Sequence, residues 1–486
     1  MKKTIIIFCL GIIPVLKAQV GIGTANPDAS AALEVSSTTK GFLPPRMTAA
    51  QRDAIINPPQ GLMLYCTDCG TYGQLQVYNG FEFKNSIGEE RAFSFRTQLG
   101  ASIYGEGAND RSGISVDLSS DGTKLAVGAR YNDGSGSNSG HVRVFGYNNN
   151  LWAQIGGDID GEAADDNSGY AISLNSNGTK LAVGAYGNDG NGNRSGHVRV
   201  YEYSNSTWTQ LGSDIDGETA DDLSGVSVDL SNNGQIVAIG AFYNDGNGTK
   251  SGHVRVYKNI SGIWTQMGTD IDGSSAGEEA GTSISLSGDG LTLAIGAPRN
   301  DDNGSSSGEV RIFSFNGSNW VQKGQDLNGD ASGDYFGISV SLSNSGSTVA
   351  IGAYGNDDSG TDAGQVKIFE FIGGSWVQRG SKILGEMSGD YSGRSISLSG
   401  DGNLLAIGAY SNDGEANNAG HTRIFKYINS SWSQVDIDID GENLGDNSGI
   451  CVALSSDGST LAIGAEYCDG LNNLNDIGQV KVFLKR

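Results

Sequence analysis

The pentapeptide LAVGA at 125–129 returns at 181, and close variants (VAIGA or LAIGA) begin at 237, 293, 349, 405 and 461, giving seven copies spaced 56 residues apart. A period of this length means one supersecondary unit used repeatedly, and it excludes a single conventional globular domain. All six Trp (152, 208, 264, 320, 376 and 432) fall at one position of the repeat. All four His (141, 197, 253 and 421) fall at another, which Glu309, Gln365 and Gln479 fill in the remaining copies. A residue that recurs with the period is read first as scaffold, and so few His limit imidazole-based catalysis and metal sites.

One copy resolves into four strands. ISVDL at 114–118 alternates apolar and polar residues, as a half-buried strand does. SSDG is a tight turn, and KLAVGA is a second, more continuously apolar strand. The loop RYNDGSGSNSG leads to the third strand, HVRVFGY, and NNN turns the chain into the fourth, LWAQIG. The acidic segment GDIDGEAADDNSG then reads as a loop to the next copy. Four strands per copy, seven copies and no helical period predict an all-β fold: a seven-bladed β-propeller over residues 92–486. An orphan fourth strand, FSFRTQLG at 93–100, precedes the first copy, and the last copy stops after its third strand, QVKVF at 479–483. Pairing 93–100 with 479–483 would complete blade seven, close the ring and hide two sheet edges.

Composition sets the compartment and the partners. Residues 1–18 carry Lys2 and Lys3, then the apolar run IIIFCLGIIPVL, then Ala18 at a cleavage position. This is the pattern of a secretory signal peptide, so the protein is expected to be exported: secreted, extracellular or on the surface of a Gram-negative-type cell. No later run is apolar enough to span a membrane, so no transmembrane segment is expected in the mature chain. The formal net charge of −24 repels phosphate backbones and argues against a nucleic-acid partner. In an oxidising compartment Cys66, Cys69, Cys451 and Cys468 are disulfide candidates. Cys66 and Cys69 could form a local bridge, remain free thiols, or hold an intermolecular metal. Cys451 and Cys468 are expected to lie near each other at one end of blade seven.

The 92–486 segment resembles FG-GAP repeats, the units of integrin-α-like propellers; Phe336-Gly337 and Gly296-Ala297-Pro298 carry the literal signatures. The resemblance implies a binding or adhesion fold. Its usual calcium loop between strands one and two is replaced here by two-residue turns such as SSDG and NSNG, which cannot supply six to eight oxygens. Residues 19–91 differ in character. GIGT-x-x-P, AALEV, KGFLPPRM and QRDAI resemble the N-terminal module of exported bacterial surface and tail-fibre-like proteins. That resemblance implies a homo-oligomer formed through this module, although no heptad pattern supports it. MTAAQRDAI predicts one short helix capped by Thr48.

In a propeller, the loop between strands two and three and the loop leaving strand four share one face. Both are long and polar here, so that face is the candidate binding surface. Asp133, Asp189, Asp245, Asp301, Asp357, Asp413 and Asp469 recur on it in NDG-type loops and are the candidate contacts, set against a simpler role in turn chemistry. Asp158, Asp160 and Glu162, and Asp214, Asp216 and Glu218, have D-x-D-G-E spacing and are candidate weak calcium ligands, set against a solvated acidic rim. Calcium is the one cofactor these residues suggest. No HExxH motif is present, and with no helical period the GSSAG and GSSSG strings at 273–277 and 304–308 are not nucleophile elbows, so no enzyme activity and no catalytic residue is assigned. The expected function is non-catalytic binding or adhesion to a protein or glycan at the cell surface. The alternatives are a polysaccharide-acting enzyme or its substrate-binding subunit, which non-periodic aromatics and carboxylates around the channel would favour, and a structural surface or fibre component.

Overall fold

The computed structural model describes residues 20–22, 33–35, 37, 43–55, 58–59, 61–69, 73–78, 83–85, 94–95, 97–470 and 474–485. The signal peptide expected at 1–18 lies outside them. The chain forms two units, residues 1–91 and 92–486.

The larger unit is all-β. In blade one the inner strand Ser115–Leu118 pairs with Lys124–Ala129, which pairs with His141–Asn148, which pairs with Leu151–Gln154, all antiparallel. The same meander repeats in each of seven blades. One feature departs from the sequence-based expectation of a plain acidic loop. Ile159–Asp160 forms a short fifth strand that pairs with the start of the third, His141 opposite Asp160 and Val142 opposite Ile159. Burial of Ile159 drives this, and alternation then turns both flanking Asp side chains away from the core.

Blade seven is assembled from both ends of the unit. Cys451–Leu454, Thr460–Ala465 and Gln479–Leu484 pair in sequence, and Gln479–Leu484 then pairs with Thr97–Gln98 and Ile103–Tyr104. The joint between blades seven and one is filled like the others. Val116, Leu125, Val127 and Phe145 pack against Ala462, Val480 and Val482. Each of the remaining six joints has a cluster of the same kind, so the core is a ring of seven interblade layers. The layers are thin at one point. A Cβ on Gly128, within LAVGA, would collide with the carbonyl oxygen of Gly169 in blade two. The recurrent Gly-Ala that ends the second strand therefore answers a backbone approach between blades.

Two sets of hydrogen bonds lock the ring. Each Trp donates its indole N–H to a carbonyl of the preceding blade, for example Trp152 to Leu99 O at 2.7 Å and Trp320 to Met267 O at 2.9 Å. At the tight-turn face, backbone N–H groups join the turns head to tail. Ser120 donates to Ser176, Ser176 to Asn232, Asn232 to Gly288, Gly288 to Asn344, Asn344 to Gly400, and Gly400 to Ser456; Asp457 then donates to Ser120.

Cys451 and Cys468 do not bond to each other; both are free thiols. The reason is direction. Cys451 Sγ turns toward blade one, 3.4 Å from Val116 N, while Cys468 Sγ faces its own loop, 3.6 Å from Asp469 O. Burial pushes both thiols up, to about 11 and about 12.

In the N-terminal unit, Val20–Ile22 pairs in parallel with Leu33–Val35. Arg46–Met47, Met63–Cys66, Gln74–Tyr78 and Phe83–Asn85 form a second sheet. The helix Ala49–Asp53 begins at Thr48, whose hydroxyl accepts from Gln51 N while the Gln51 side chain accepts from Thr48 N. Cys66 and Cys69 are joined by a disulfide.

Candidate functional site

The second-to-third-strand loops and the segments following the outer strands share one face, as the blade meander dictates. The seven Asp candidates lie on it, and all are exposed. Each also bonds within its own loop. Asp133 Oδ1 accepts from Asn138 N at 2.8 Å, Asp189 from Arg194 N, Asp245 from Lys250 N, Asp301 from Ser306 N, Asp357 from Asp362 N, and Asp413 from Asn418 N; Asp469 accepts from Asp476 N at 3.1 Å. The donor residue has positive φ in every copy, from 47° at Asp476 to 53° at Asn138 and Lys250. The carboxylate thus staples a left-handed turn.

The acidic segments divide into separate jobs. Asp166 is buried and accepts from Glu162 N and Ala163 N, and from Asn188 Nδ2 of blade two. Asp165 is exposed and accepts from Asn138 Nδ2. Among the described residues, Asp158, Asp160 and Glu162 do not gather into one three-ligand group, and neither do Asp214, Asp216 and Glu218. The short fifth strand explains this: it carries Glu162 past its own blade to the next. The trios that do form cross blade joints: Glu106, His141 and Asp158; Glu162, His197 and Asp214; Glu218, His253 and Asp270; Glu386, His421 and Asp438. The period marks the four His as scaffold, and it carries no sign of the carboxylates that the fold brings to them. Their imidazoles are buried, and burial, with the adjacent Arg charge, lowers their pKa, to about 4 for His253 and His421.

Closer to the ring axis, the same face carries side chains that change from blade to blade. The row after the second strand reads Arg130, Tyr186, Phe242, Pro298, Tyr354, Tyr410 and Glu466. A row entering the inner strands reads Arg111, Asn167, Leu223, Glu279, Tyr335, Tyr391 and Asn447, all at φ between 52° and 57°. These rows meet in an aromatic belt. Tyr335 stacks on Tyr354 with centroids 5.1 Å apart, Tyr354 meets Tyr391 edge-on at 5.7 Å, and Tyr391 stacks on Tyr410 at 5.6 Å. On the other arc, Arg111 lies over Tyr467 at 4.4 Å, and Arg130 lies over Tyr131 at 4.7 Å. The inner strands enclose a cavity of about 310 Å³ whose lining includes Ile114, Tyr170, Thr282, Ile338 and Arg394, with Phe242 from the first row but none of the four stacked Tyr. Both carboxylates of these rows are paired: Glu466 with Arg130 at 3.2 Å and Glu279 with Arg299 at 2.9 Å. Burial raises both carboxyls nonetheless. The signal that could have identified the belt in the sequence is variability at positions where the scaffold is otherwise constant.

Residues 105–145, 269–313 and 328–369 match the FG-GAP repeat family model, and residues 21–98 match that of a phage tail-like trimerisation region. The propeller is thus similar to FG-GAP propellers, and its N-terminal unit to modules that trimerise. No curated protein matches the sequence. Among solved structures, hydrazine synthase of Kuenenia stuttgartiensis is similar at 14% identity with a TM-score of 0.49, covering 76% of this chain and 95% of that one. Among the described residues no helix is long and apolar enough to cross a membrane.

Proposed function

We propose that this is an exported, non-catalytic surface-binding protein, oligomeric through its N-terminal unit, that takes a glycan at the channel mouth of its long-loop face. The observation that carries the reading is the Tyr335–Tyr354–Tyr391–Tyr410 array beside the Arg-capped Tyr131 and Tyr467. Tyr rings offer flat apolar faces with a polar tip, which suits sugar rings edged by hydroxyls. The surrounding acidity disfavours anionic chains and selects neutral or cationic sugars. The Asp series at 133 to 469 supports the site by shaping its loops. An aromatic mouth also fits the polysaccharide-acting alternative, but Glu279 and Glu466 are held in Arg pairs, which leaves no free acid–base pair in the mouth rows.

The test is a glycan screen with the full mature chain, followed by two variants. Tyr354→Ala with Tyr391→Ala should weaken binding of a hit at least tenfold. Asp121→Ala, in a tight turn on the opposite face, should leave it unchanged. Binding lost only with the Asp121 change places the site on the other face, and turnover of the bound glycan rejects the non-catalytic assignment.

A further inference from the structure

The three repeat rows that build the blade-joint trios vary together within this one chain. Where the joint has His, it also has both carboxylates: Glu106 and Asp158, Glu162 and Asp214, Glu218 and Asp270, Glu386 and Asp438. Where His is replaced, a carboxylate is gone as well. Glu309 faces a joint with Ser274, Gln365 one with Lys382, and Gln479 one with Ser102. A His kept only for packing would have no reason to be lost together with one of two distant acidic positions.

The geometry gives the reason for the linkage. His141 is 0% exposed, and neither ring nitrogen has a hydrogen-bond partner; Nε2 of His253 and of His421 is likewise buried and unpaired. Nδ1 faces carboxylate oxygens at 3.8 Å in His197 to Asp214, His253 to Glu218 and His421 to Asp438, and at 4.0 Å in His141 to Asp160. These distances are too long for hydrogen bonds. At His141, where Nδ1 is buried and unpaired, a proton there is unused, and without it a lone pair points at anionic oxygens. A cation between them resolves both cases, because two metal–ligand bonds of about 2.1 Å reach donor atoms up to about 4.2 Å apart. The three donor atoms of each trio lie within 4.8 Å of one another, so small side-chain adjustments suffice.

The joints without His carry their own substitutes. Lys382 places its ammonium 3.7 Å from Asp330, and Gln365 donates to Asp330 at 3.4 Å. Gln479 donates to Tyr104 at 2.8 Å. Glu309 lies 3.4 Å from Arg311, a member of the Arg row that also pairs with Glu106, Glu218 and Glu386 at the His joints. The repeated Gln holds the Asp of these joints: Gln154 donates to Asp158, Gln266 to Asp270 and Gln434 to Asp438, each at 2.6 Å, and Gln322 does the same for Asp326 at the Glu309 joint, so this support is present with or without His.

We propose that the joints between blades seven and one, one and two, two and three, and five and six each bind a first-row transition-metal dication, zinc or a close relative, through the imidazole Nδ1 and two carboxylates. An imidazole with carboxylates suits zinc-type ions, whereas calcium and magnesium take oxygen ligands. The second of these joints is the weakest, because Arg199 already engages both Glu162 and Asp214. The proposal is independent of the glycan reading.

The experiment uses the untagged full chain, stripped with chelator and titrated with Zn²⁺ by calorimetry, and with Co²⁺ by visible absorption. Between one and four equivalents per chain should bind, unaffected by millimolar Ca²⁺. Replacing all four His with Gln, the residue native at 365 and 479, should abolish binding and leave the circular dichroism unchanged. As a second route, Asp158→Lys, which copies Lys382, should remove one equivalent. Less than one equivalent on the unaltered chain overturns the proposal. So does undiminished binding by the His→Gln variant or, if that variant does not fold, by Asp158→Lys.

Discussion

Asp117 and Asp229 occupy an inner-strand row that is otherwise Ser173, Ser285, Ser341, Ser397 and Ala453. Each links to the next blade: Asp117 accepts from Leu174 N and Asp229 from Leu286 N, both at 2.6 Å, as Ser285 does from Leu342 N at 3.0 Å. Burial pushes their carboxyls up, to about 7 for Asp117 and about 6 for Asp229, against the pull of these backbone bonds. A carboxyl raised in the folded state holds its proton more tightly there than in the unfolded chain. Its contribution is complete below the unfolded value, near 3.8, and is lost as pH rises through the folded value, near 7. Asp117→Ser keeps an acceptor and removes the charge. The variant should be more stable than the parent at pH 8 by about 2–4 kcal/mol, at roughly 1.4 kcal/mol per pKa unit, with the gap closing by pH 4. Urea melts at the two pH values check this, and a gap of equal size at both would refute it. At this scale the sequence was only partly legible. The turn chemistry of the Asp133 series followed from NDG itself. The His trios did not, because Glu106 and His141 belong together only once it is known that a chain segment leaving one blade lies against the next.

The strands were easier to read than their connections. ISVDL and HVRVF show their alternation directly, whereas Ile159–Asp160 is too short to establish a period and resembles an acidic loop. The Trp row was legible as packing, but its hydrogen bonds were not, since their acceptors are backbone carbonyls. Those bonds lead to a test of how blades hold together. Trp320→Phe retains a large ring against Phe315 but leaves Met267 O without its indole donor, and should cost about 1–2 kcal/mol. Trp320→Ala also removes the ring and should cost about 3–5 kcal/mol. Gly128→Ala should be worse than its size suggests, because the added methyl strikes the Gly169 carbonyl and the two blades must separate. Thermal unfolding of the three variants ranks these effects, and a Gly128→Ala chain as stable as the parent would mean that the joint yields freely.

Seven-fold closure was readable from the period and from the permuted ends, but the ring of turn-to-turn backbone bonds was not, because no side chain marks it. Closure rests on Phe95, fully buried in the joint between blades six and seven, and on Thr97–Gln98 against Gln479–Leu484. Deleting residues 92–100 empties that pocket and exposes a long strand edge, so the melting temperature should fall sharply and the protein should aggregate. The N-terminal unit bears on a different property. If residues 19–85 serve assembly, as their similarity to a trimerisation region suggests, removing them should leave the propeller's melting temperature unchanged while the particle falls from three chains to one in light scattering. Three mouths on one particle would gain avidity on a surface dense in ligand, by a factor on the order of 10²–10⁴ over one mouth. The shortened chain should therefore keep its affinity for a free glycan and lose most of its retention on an immobilised one. Equal retention of both forms would show that the N-terminal unit does not serve multivalent binding.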